Sequence, residues 1–340
     1  MRLAALAPLA VAVSQANGIG FIGLGNDISD LSNILKESRK LISAGPQLHT
    51  TDPSTLPIGL GFLLWGAPLP ETLDVIAQPG NVPAAVWLFA PREQSSLADW
   101  SDGVRSVTQN KTKIWIQVCS VAEAVYAMKI AQPDVLVIQG TDAGGHGRAQ
   151  GAGLTALVPE VIDAVKDYCS SEGVLELPTF IAAGGISDGR GVASTITLGC
   201  SGVTLGTRYL ASKEANIPKG YQDAVLRASD GGMTTVRSSV YDTLRGTTDW
   251  PENYGGRGVI NASYQDHLSG VSWEENKQRY EEALKTGDKG WEGDQARMTT
   301  YAGTGLGLVK RVQPAAEITR EVREDGIAVL RSAAERVNRL

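Results

Sequence analysis

The sequence predicts an α/β fold of the TIM (β/α)8 type. Two observations carry that expectation. Short, wholly apolar runs alternate with segments of helical spacing from Gly18 to about Ala228, and the last of these runs carry paired or spaced glycines at their ends. A run apolar on both faces belongs to a parallel strand covered on both sides. Strand–helix repetition then implies right-handed crossovers. At 340 residues the chain has room for such a barrel, which takes about 250 residues before insertions.

The expected strands are GIGFIG (18–23), PIGLGFLLW (57–65), AAVWLFA (84–90), KIWIQVC (113–119), DVLVIQG (134–140), PTFIAAGG (178–185) and GVTLGTRYL (202–210). Helical spacing marks ISDLSNILKESRKLI (28–42), VAEAVYAMKIA (121–131) with Ser120 as its cap, LTALVPEVIDAVKDYC (154–169) and DGRGVASTITLGC (188–200). The count is seven strands, whereas a closed barrel of this class has eight. Residues 229–300 are polar, with many Gly, Trp and Arg residues, and read as an insertion or lid. From Pro314 the chain reads as one amphipathic helix. The expected division is residues 1–228 with 301–340 as the barrel, and 229–300 as the insertion.

Composition narrows the function classes. Hydrophobic residues make up 42% and charged residues 20%, which suits a soluble chain with a full core. The net charge of −6 leaves no basic field for nucleic acid. No run reaches the ~18 apolar residues of a membrane span. The start, Met1-Arg2 followed by LAALAPLAVAV, has the outline of a secretory signal. It also reads as a helix leading into a strand, and the absence of secreted features downstream favours the helix. Cys119, Cys169 and Cys200 form no disulfide framework, which fits a reducing, cytoplasmic compartment. The ending Asn338-Arg339-Leu340 loosely resembles a peroxisomal S-K-L. His49, His146 and His267 show no metal-ligand spacing, so no metal is expected. His49 and His267 read as surface residues.

Three segments carry chemistry. Gln139-Gly-Thr-Asp-Ala-Gly-Gly-His-Gly-Arg148 directly follows the strand VLVIQ, and barrel active sites lie at C-terminal strand ends. Gly144 and Gly145 allow positive φ and close approach to a flat ligand. A histidine there, with an unperturbed pKa of ~6.5, can take a proton from a substrate carbon. The bland alternative is a loop histidine bonded to a neighbouring carbonyl, and the glycine context favours the base. Asp142 is a candidate to orient His146, but its place beside the Gly-Gly turn favours a turn role. The other two segments are IAAGGISDGR (181–190) and GVTLGTR (202–208). Loops after the last two strands form this fold's common phosphate site, with backbone N–H groups as donors. Arg208 could pair with phosphate or with a carboxylate. Trp65, Trp87 and Trp115 read as packing, with Trp65 a candidate for substrate contact.

Residues 139–148 resemble the G-x-(D/E)-A-G-G-H-x-G segment of the nitronate monooxygenases, formerly 2-nitropropane dioxygenases. AAGGISDGR (182–190) and GVTLGTRYLAS (202–212) are similar to that family's FMN-phosphate segments, and YAGTGLGLVKRVQPAAEI (301–318) resembles its C-terminal portion. The resemblance implies an FMN-dependent barrel with His146 as catalytic base. It implies that Ala183, Gly184, Gly185, Gly206 and Thr207 hold the FMN phosphate. Gln139, Gly144 and Gly145, with Gln117 and Gly61, would line the flavin. The implied reaction is oxidation of alkyl nitronates or nitroalkanes by O2; the expected partners are that small-molecule substrate and O2, with no nucleic acid and no membrane, and a homodimer is left open. PLAVAVSQANGIGFIG (8–23) resembles the family's first helix and second strand, so the family's first strand, ending in Ala-Pro-Met, is absent here or replaced by another segment. Two alternatives stand. One is a related flavin reductase acting on enoyl thioesters or quinones with NAD(P)H, although no separate G-x-G-x-x-G unit is evident. The other is a degenerate, non-catalytic barrel.

Overall fold

The computed structural model describes residues 3–46, 48 and 52–339. His49 and Leu340 lie outside the described residues. Among the described residues ten strands form: β1 (Phe21–Gly25), β2 (Leu56–Leu63), β3 (Pro83–Phe89), β4 (Lys113–Val118), β5 (Val135–Gln139), β6 (Gly145–Arg148), β7 (Thr179–Ala183), β8 (Gly202–Thr204), β9 (Thr235–Ser238) and β10 (Tyr254–Val259). Seven of them make one sheet in the order β1-β2-β3-β4-β5-β7-β8, with every pairing parallel. The connecting helices are α1 (Ala7–Gln15), α2 (Leu31–Ala44), α3 (Leu69–Ile76), α4 (Ser96–Thr108), α5 (Val121–Ala131), α6 (Leu154–Glu172), α7 (Gly189–Thr197) and the short α8 (Thr207–Leu210). All seven expected strands form. The last is shorter than its apolar run, because the chain turns at Gly206 into α8.

Alternation along the strands builds two layers. Ile22, Leu60, Val86, Ile116, Leu136 and Ala182 face the helices, where they pack with Leu31, Leu35, Trp100, Val104 and Val161. The opposite faces fill the interior with Phe21, Trp87, Trp115, Val135, Val137 and Ile181. The Phe21 ring packs edge-on against Trp87 at 5.2 Å between centroids. Ser120 caps α5 as expected, its side chain accepting from the Glu123 N–H at 3.2 Å.

Among the described residues, the gap between β1 and β8 at the two edges of the sheet is covered by other segments. Residues 3–5 are not a strand, but they tie the two sides together. Leu3 N donates to Gly23 O (3.0 Å) and Gly23 N to Ala5 O (2.8 Å), while Asn216 N donates to Ala4 O (3.0 Å). The C-terminal helix (Ala315–Val337) then lays Ile318 and Val322 against Leu9 and Val13 of α1 and Tyr209 of α8. Burial of each such side chain contributes about 1.5–3 kcal/mol.

The remaining strands form a separate antiparallel sheet in the order β6-β10-β9. The histidine segment is therefore a strand, not a free loop, and its partners come from the segment read as an insertion.

The approach of α1 to β1 generates a prediction. A Cβ on Gly20 would lie 1.8 Å from Ala10 O, a backbone atom that cannot swing aside. Gly20→Ala is expected to destabilise the fold by about 1–3 kcal/mol, read from urea midpoints. An unchanged midpoint would show that the α1–β1 packing is looser than described.

Candidate active site

The β5–β6 segment turns back over the C-terminal end of the parallel sheet. Gly140 N donates to Ala183 O at 2.9 Å, which fixes the start of the turn to the end of β7. Gly184 and Gly185 have φ of +109° and +74°. A Cβ on Gly184 would be 2.9 Å from Ala143 N, and one on Gly185 would be 3.0 Å from the Asp142 Cβ. The two glycine-bearing turns thus pack directly on each other, at positions where an L side chain would be strained. Residues 301–305 thread alongside them. Gly303 N donates to Thr207 Oγ1 (2.9 Å), and Ser187 Oγ donates to Gly305 O (3.0 Å). Thr207, Gly144 and Gly185 are in this way joined through one segment. Among the described residues, the backbone N–H groups of Gly185, Ile186, Gly206 and Thr207 donate to no protein acceptor.

On β6, Gly145 has φ of +68°, and His146 follows in extended conformation. Its Nε2 lies 2.9 Å from both carboxylate oxygens of Asp242, on the helix Val240–Arg245. Tyr301 Oη donates to Asp242 Oδ1 at 2.8 Å and Thr247 Oγ1 donates to it at 3.1 Å. The imidazole stacks on Trp250, with centroids 3.7 Å apart and planes 3° from parallel. Trp65, Phe89 and Tyr254 surround Trp250. The side chains of His146 and Asp242 are 13% and 6% exposed. Burial pulls the His146 pKa below its ordinary value, against the opposing pull of Asp242, and Arg237 lowers it further. The ring is therefore neutral at neutral pH.

A family model for nitronate monooxygenase matches residues 97–325. A nitronate monooxygenase of Metarhizium robertsii is 47% identical over 335 residues, covering 98% of this chain and 90% of that protein. The chain belongs to the nitronate monooxygenase family. A nitronate monooxygenase of Neurospora crassa is 38% identical over 340 residues, covering 96% and 87% of the two chains. Among solved structures, FabK from Thermotoga maritima matches with a TM-score of 0.73 at 23% identity, over 98% of this chain and 93% of that one. Nitroalkane oxidase from Streptomyces ansochromogenes matches with 0.70 at 19% identity, over 98% and 94%. These last two likenesses show a shared barrel fold. Membership makes the chain a flavin-dependent oxidoreductase.

Within this family member, the residues singled out from sequence divide into groups. His146, Gly144, Gly145, Ala183, Gly184, Gly185, Gly206 and Thr207 lie on adjoining segments. Gln139 spends both ends of its amide inside the protein: Nε2 donates to His146 O (3.2 Å) and Oε1 accepts from Cys119 Sγ (3.2 Å). It braces β6. Gln117 accepts from Trp87 Nε1 at 3.0 Å. Gly61 pairs with Trp87 in the β2–β3 register, and a Cβ on it would meet only Ile22 O, at 3.4 Å.

Asp142 lies in the turn, the role the sequence favoured, and does not orient His146; its carboxylate accepts from Thr304 Oγ1 at 2.8 Å, because residues 301–305 lie between. Of the two readings of Arg208, a carboxylate partner is not found among the described residues; it donates to Gln313, which donates to Glu321. The surface reading of His267 is corrected: it is half-buried, packed on the Trp273 ring at 4.7 Å. The sequence reading missed Asp242, Trp250, Tyr301 and Arg237. Arg237 donates to the carbonyls of Gly145, Gly255, Thr141 and Ala143, and so clamps the glycine turn from outside.

The depressed pKa of His146 has a stability consequence. The folded state takes up this proton less readily than the unfolded chain. The contribution is therefore intact above about pH 6.5 and declines as pH falls through that value towards the folded pKa. Stability of the wild-type protein is expected to fall more steeply between about pH 7 and pH 5 than that of His146→Asn, measured by urea denaturation. Parallel pH profiles would mean that the ring is not protected from protonation.

Proposed function

We propose that this family member binds FMN and oxidises alkyl nitronates and nitroalkanes with molecular oxygen, His146 serving as the general base. The observation that supports this most is the direct packing of the His146 segment on the Gly184–Gly185 turn. A base and a run of unengaged backbone donors thereby flank the same end of the barrel.

The residues present fit the flavin. Ala183, Gly184, Gly185, Gly206 and Thr207 would form the phosphate cradle, with the backbone N–H groups of Gly185, Gly206 and Thr207, which donate to no protein acceptor among the described residues, as donors, so no lysine is required. Gly61, Gln117, Gln139, Gly144 and Gly145 would line the ring system, with Gly61 leaving interior space that a side chain would occupy. When bound, FMN supplies the acceptance of two electrons from substrate and their return to O2. The protein contributes the proton chemistry. His146 takes the α-proton of a neutral nitroalkane: the C–H bond breaks, its electron pair moves into the nitro group, and the imidazole becomes imidazolium. A preformed nitronate has already lost this proton and skips the step. The walls near the base are aromatic (Trp65, Phe89 and Trp250), which suits an alkyl chain and excludes water.

The purified protein is expected to be yellow and to release FMN on denaturation, identified by mass. His146→Asn is expected to lower oxidation of a neutral nitroalkane by about 10²–10⁴-fold while sparing most activity on the matching nitronate. Equal loss on both substrates would remove the base from the reading. Rapid anaerobic bleaching of the flavin by NADPH, with no nitronate-dependent oxygen uptake, would replace it with the reductase alternative.

A further inference from the structure

We propose that Asp242 is the positioning residue of the base. It holds His146 as the Nε2–H tautomer, so that Nδ1 is the atom that receives the substrate proton. Tyr301 and Thr247 hold the carboxylate in that position. This rests on the reading of His146 as a base.

The argument begins with donor counting. A carboxylate only accepts, so a ring nitrogen 2.9 Å from both its oxygens must carry the hydrogen. A neutral imidazole has one N–H, which leaves the lone pair on Nδ1. Among the described residues, nothing hydrogen-bonds to Nδ1. The carboxylate is itself fixed. Its Oδ1 receives Tyr301 Oη and Thr247 Oγ1, and Asp242 is 4% exposed. Trp250 covers one face of the ring at 3.7 Å and blocks a swing away from the carboxylate. When Nδ1 accepts a proton, both nitrogens bear hydrogen. The buried anion then stabilises the new cation without reorganising.

The charged and titratable groups facing this pair come from several elements. Asp242 and Arg245 lie on the helix Val240–Arg245, with the Arg245 guanidinium 5.6 Å over the Tyr301 ring. Tyr301 comes from the returning segment, and its pKa is pushed up by burial first and by Asp242 next, so it stays a donor. Arg237 on β9 opposes protonation of the ring. Arg148, on His146's own strand, is neutralised by Glu123 of α5, and Tyr254 on β10 stays protonated under burial. Asp242 is thus the carboxylate in contact with the ring, and it opposes both desolvation and Arg237.

The chain has three histidines, so ¹⁵N-histidine labelling gives a readable set of ring signals, with His146 assigned by its loss in His146→Asn. The wild-type ring is expected to be protonated at Nε2 at neutral pH. In Asp242→Asn the amide can donate to Nε2 and drive the hydrogen to Nδ1. The signals should then exchange character. The rate on a neutral nitroalkane should drop on the order of 10²–10⁴-fold, with a far smaller change on the nitronate and with KM little altered. The acid limb of the nitroalkane pH profile should move to lower pH, because the carboxylate that favours the imidazolium is gone. Asp242→Glu should recover part of the rate, which a purely structural role would not allow. Tyr301→Phe removes one hydrogen bond to Asp242 and keeps the ring; it provides the test if Asp242→Asn fails to fold, with a loss of about 3–10-fold on the nitroalkane alone. A wild-type ring protonated at Nδ1 would overturn the proposal. So would an unchanged tautomer in Asp242→Asn, or no selective loss in Tyr301→Phe. The spectra need no turnover. An Nε2–H ring in a protein inactive on nitroalkanes would sink the substrate reading and leave the positioning role intact.

Discussion

The architecture depends on a close backbone approach where residues 301–305 return to the barrel. A Cβ on Gly144 would be 2.3 Å from Gly303 N, one on Gly303 would be 2.5 Å from Asp142 O, and one on Gly305 would be 2.7 Å from Gly185 O. Side chains at these places would force the segments apart by more than a core can absorb. With glycine at each, one strip of chain passes alongside the β5–β6 turn and the turns after β7 and β8, against both. It delivers Thr304 to Asp142 and Tyr301 to Asp242 as it passes. The glycines that the sequence led one to expect against a ligand are, in the structure, the places where protein meets protein.

A turn made largely of glycine has no side chains with which to hold itself. Arg237 supplies the restraint from the neighbouring sheet. Its guanidinium reaches four carbonyls of the turn and of β10, a fan of acceptors that the planar, five-donor head of arginine can meet and a lysine cannot. Burial pushes its pKa down to about 10, which still leaves it charged at neutral pH. On the other flank, Arg148 donates to Glu123 Oε1 at 2.6 Å while Glu123 Oε2 accepts from Cys119 N at 2.6 Å. The outer end of β6 is thereby anchored to the start of α5. Cys119 itself is buried, its thiol donating to Gln139 Oε1, and burial pushes its pKa up to about 12, which favours the protonated thiol.

Local signals in the sequence reach a definite distance into this arrangement. The seven strands were legible because each is apolar on both faces, and a buried parallel strand leaves that mark on its own residues. His146 and the glycine turns were legible because they follow those strands directly. Asp242 was not, because it lies 96 residues from His146, on a six-residue helix inside a polar stretch. Asp142 was the nearer acid in sequence, yet its carboxylate is taken by Thr304. The antiparallel partners of β6 left little trace either. β10 reads YGGRGV, with no alternation of apolar and polar side chains, and its register comes from pairing across long sequence separations. The seam was half legible: the sequence shows seven strand-like runs, but only packing shows residues 3–5 and the C-terminal helix covering the gap between β1 and β8.

The glycines of β10 explain how His146 and Asp242, 96 residues apart in sequence, meet in one place. In the β6–β10 ladder, His146 faces Gly256. A Cβ there would lie 2.4 Å from Cε1 of Tyr301, so the absent side chain is what lets the tyrosine ring lie across the ladder, 5.2 Å from the imidazole. From that position its hydroxyl reaches Asp242, and Asp242 reaches His146. β10 pairs with β9 on its other edge, and the chain leaves β9 directly into the helix that bears Asp242. Pairing of the small sheet thus sets the distance between carboxylate and ring. Fraying of β10 would release Tyr301, Asp242 and the Trp250 cover together, so the burial and orientation of the His146 ring are tied to closure of the segment above it.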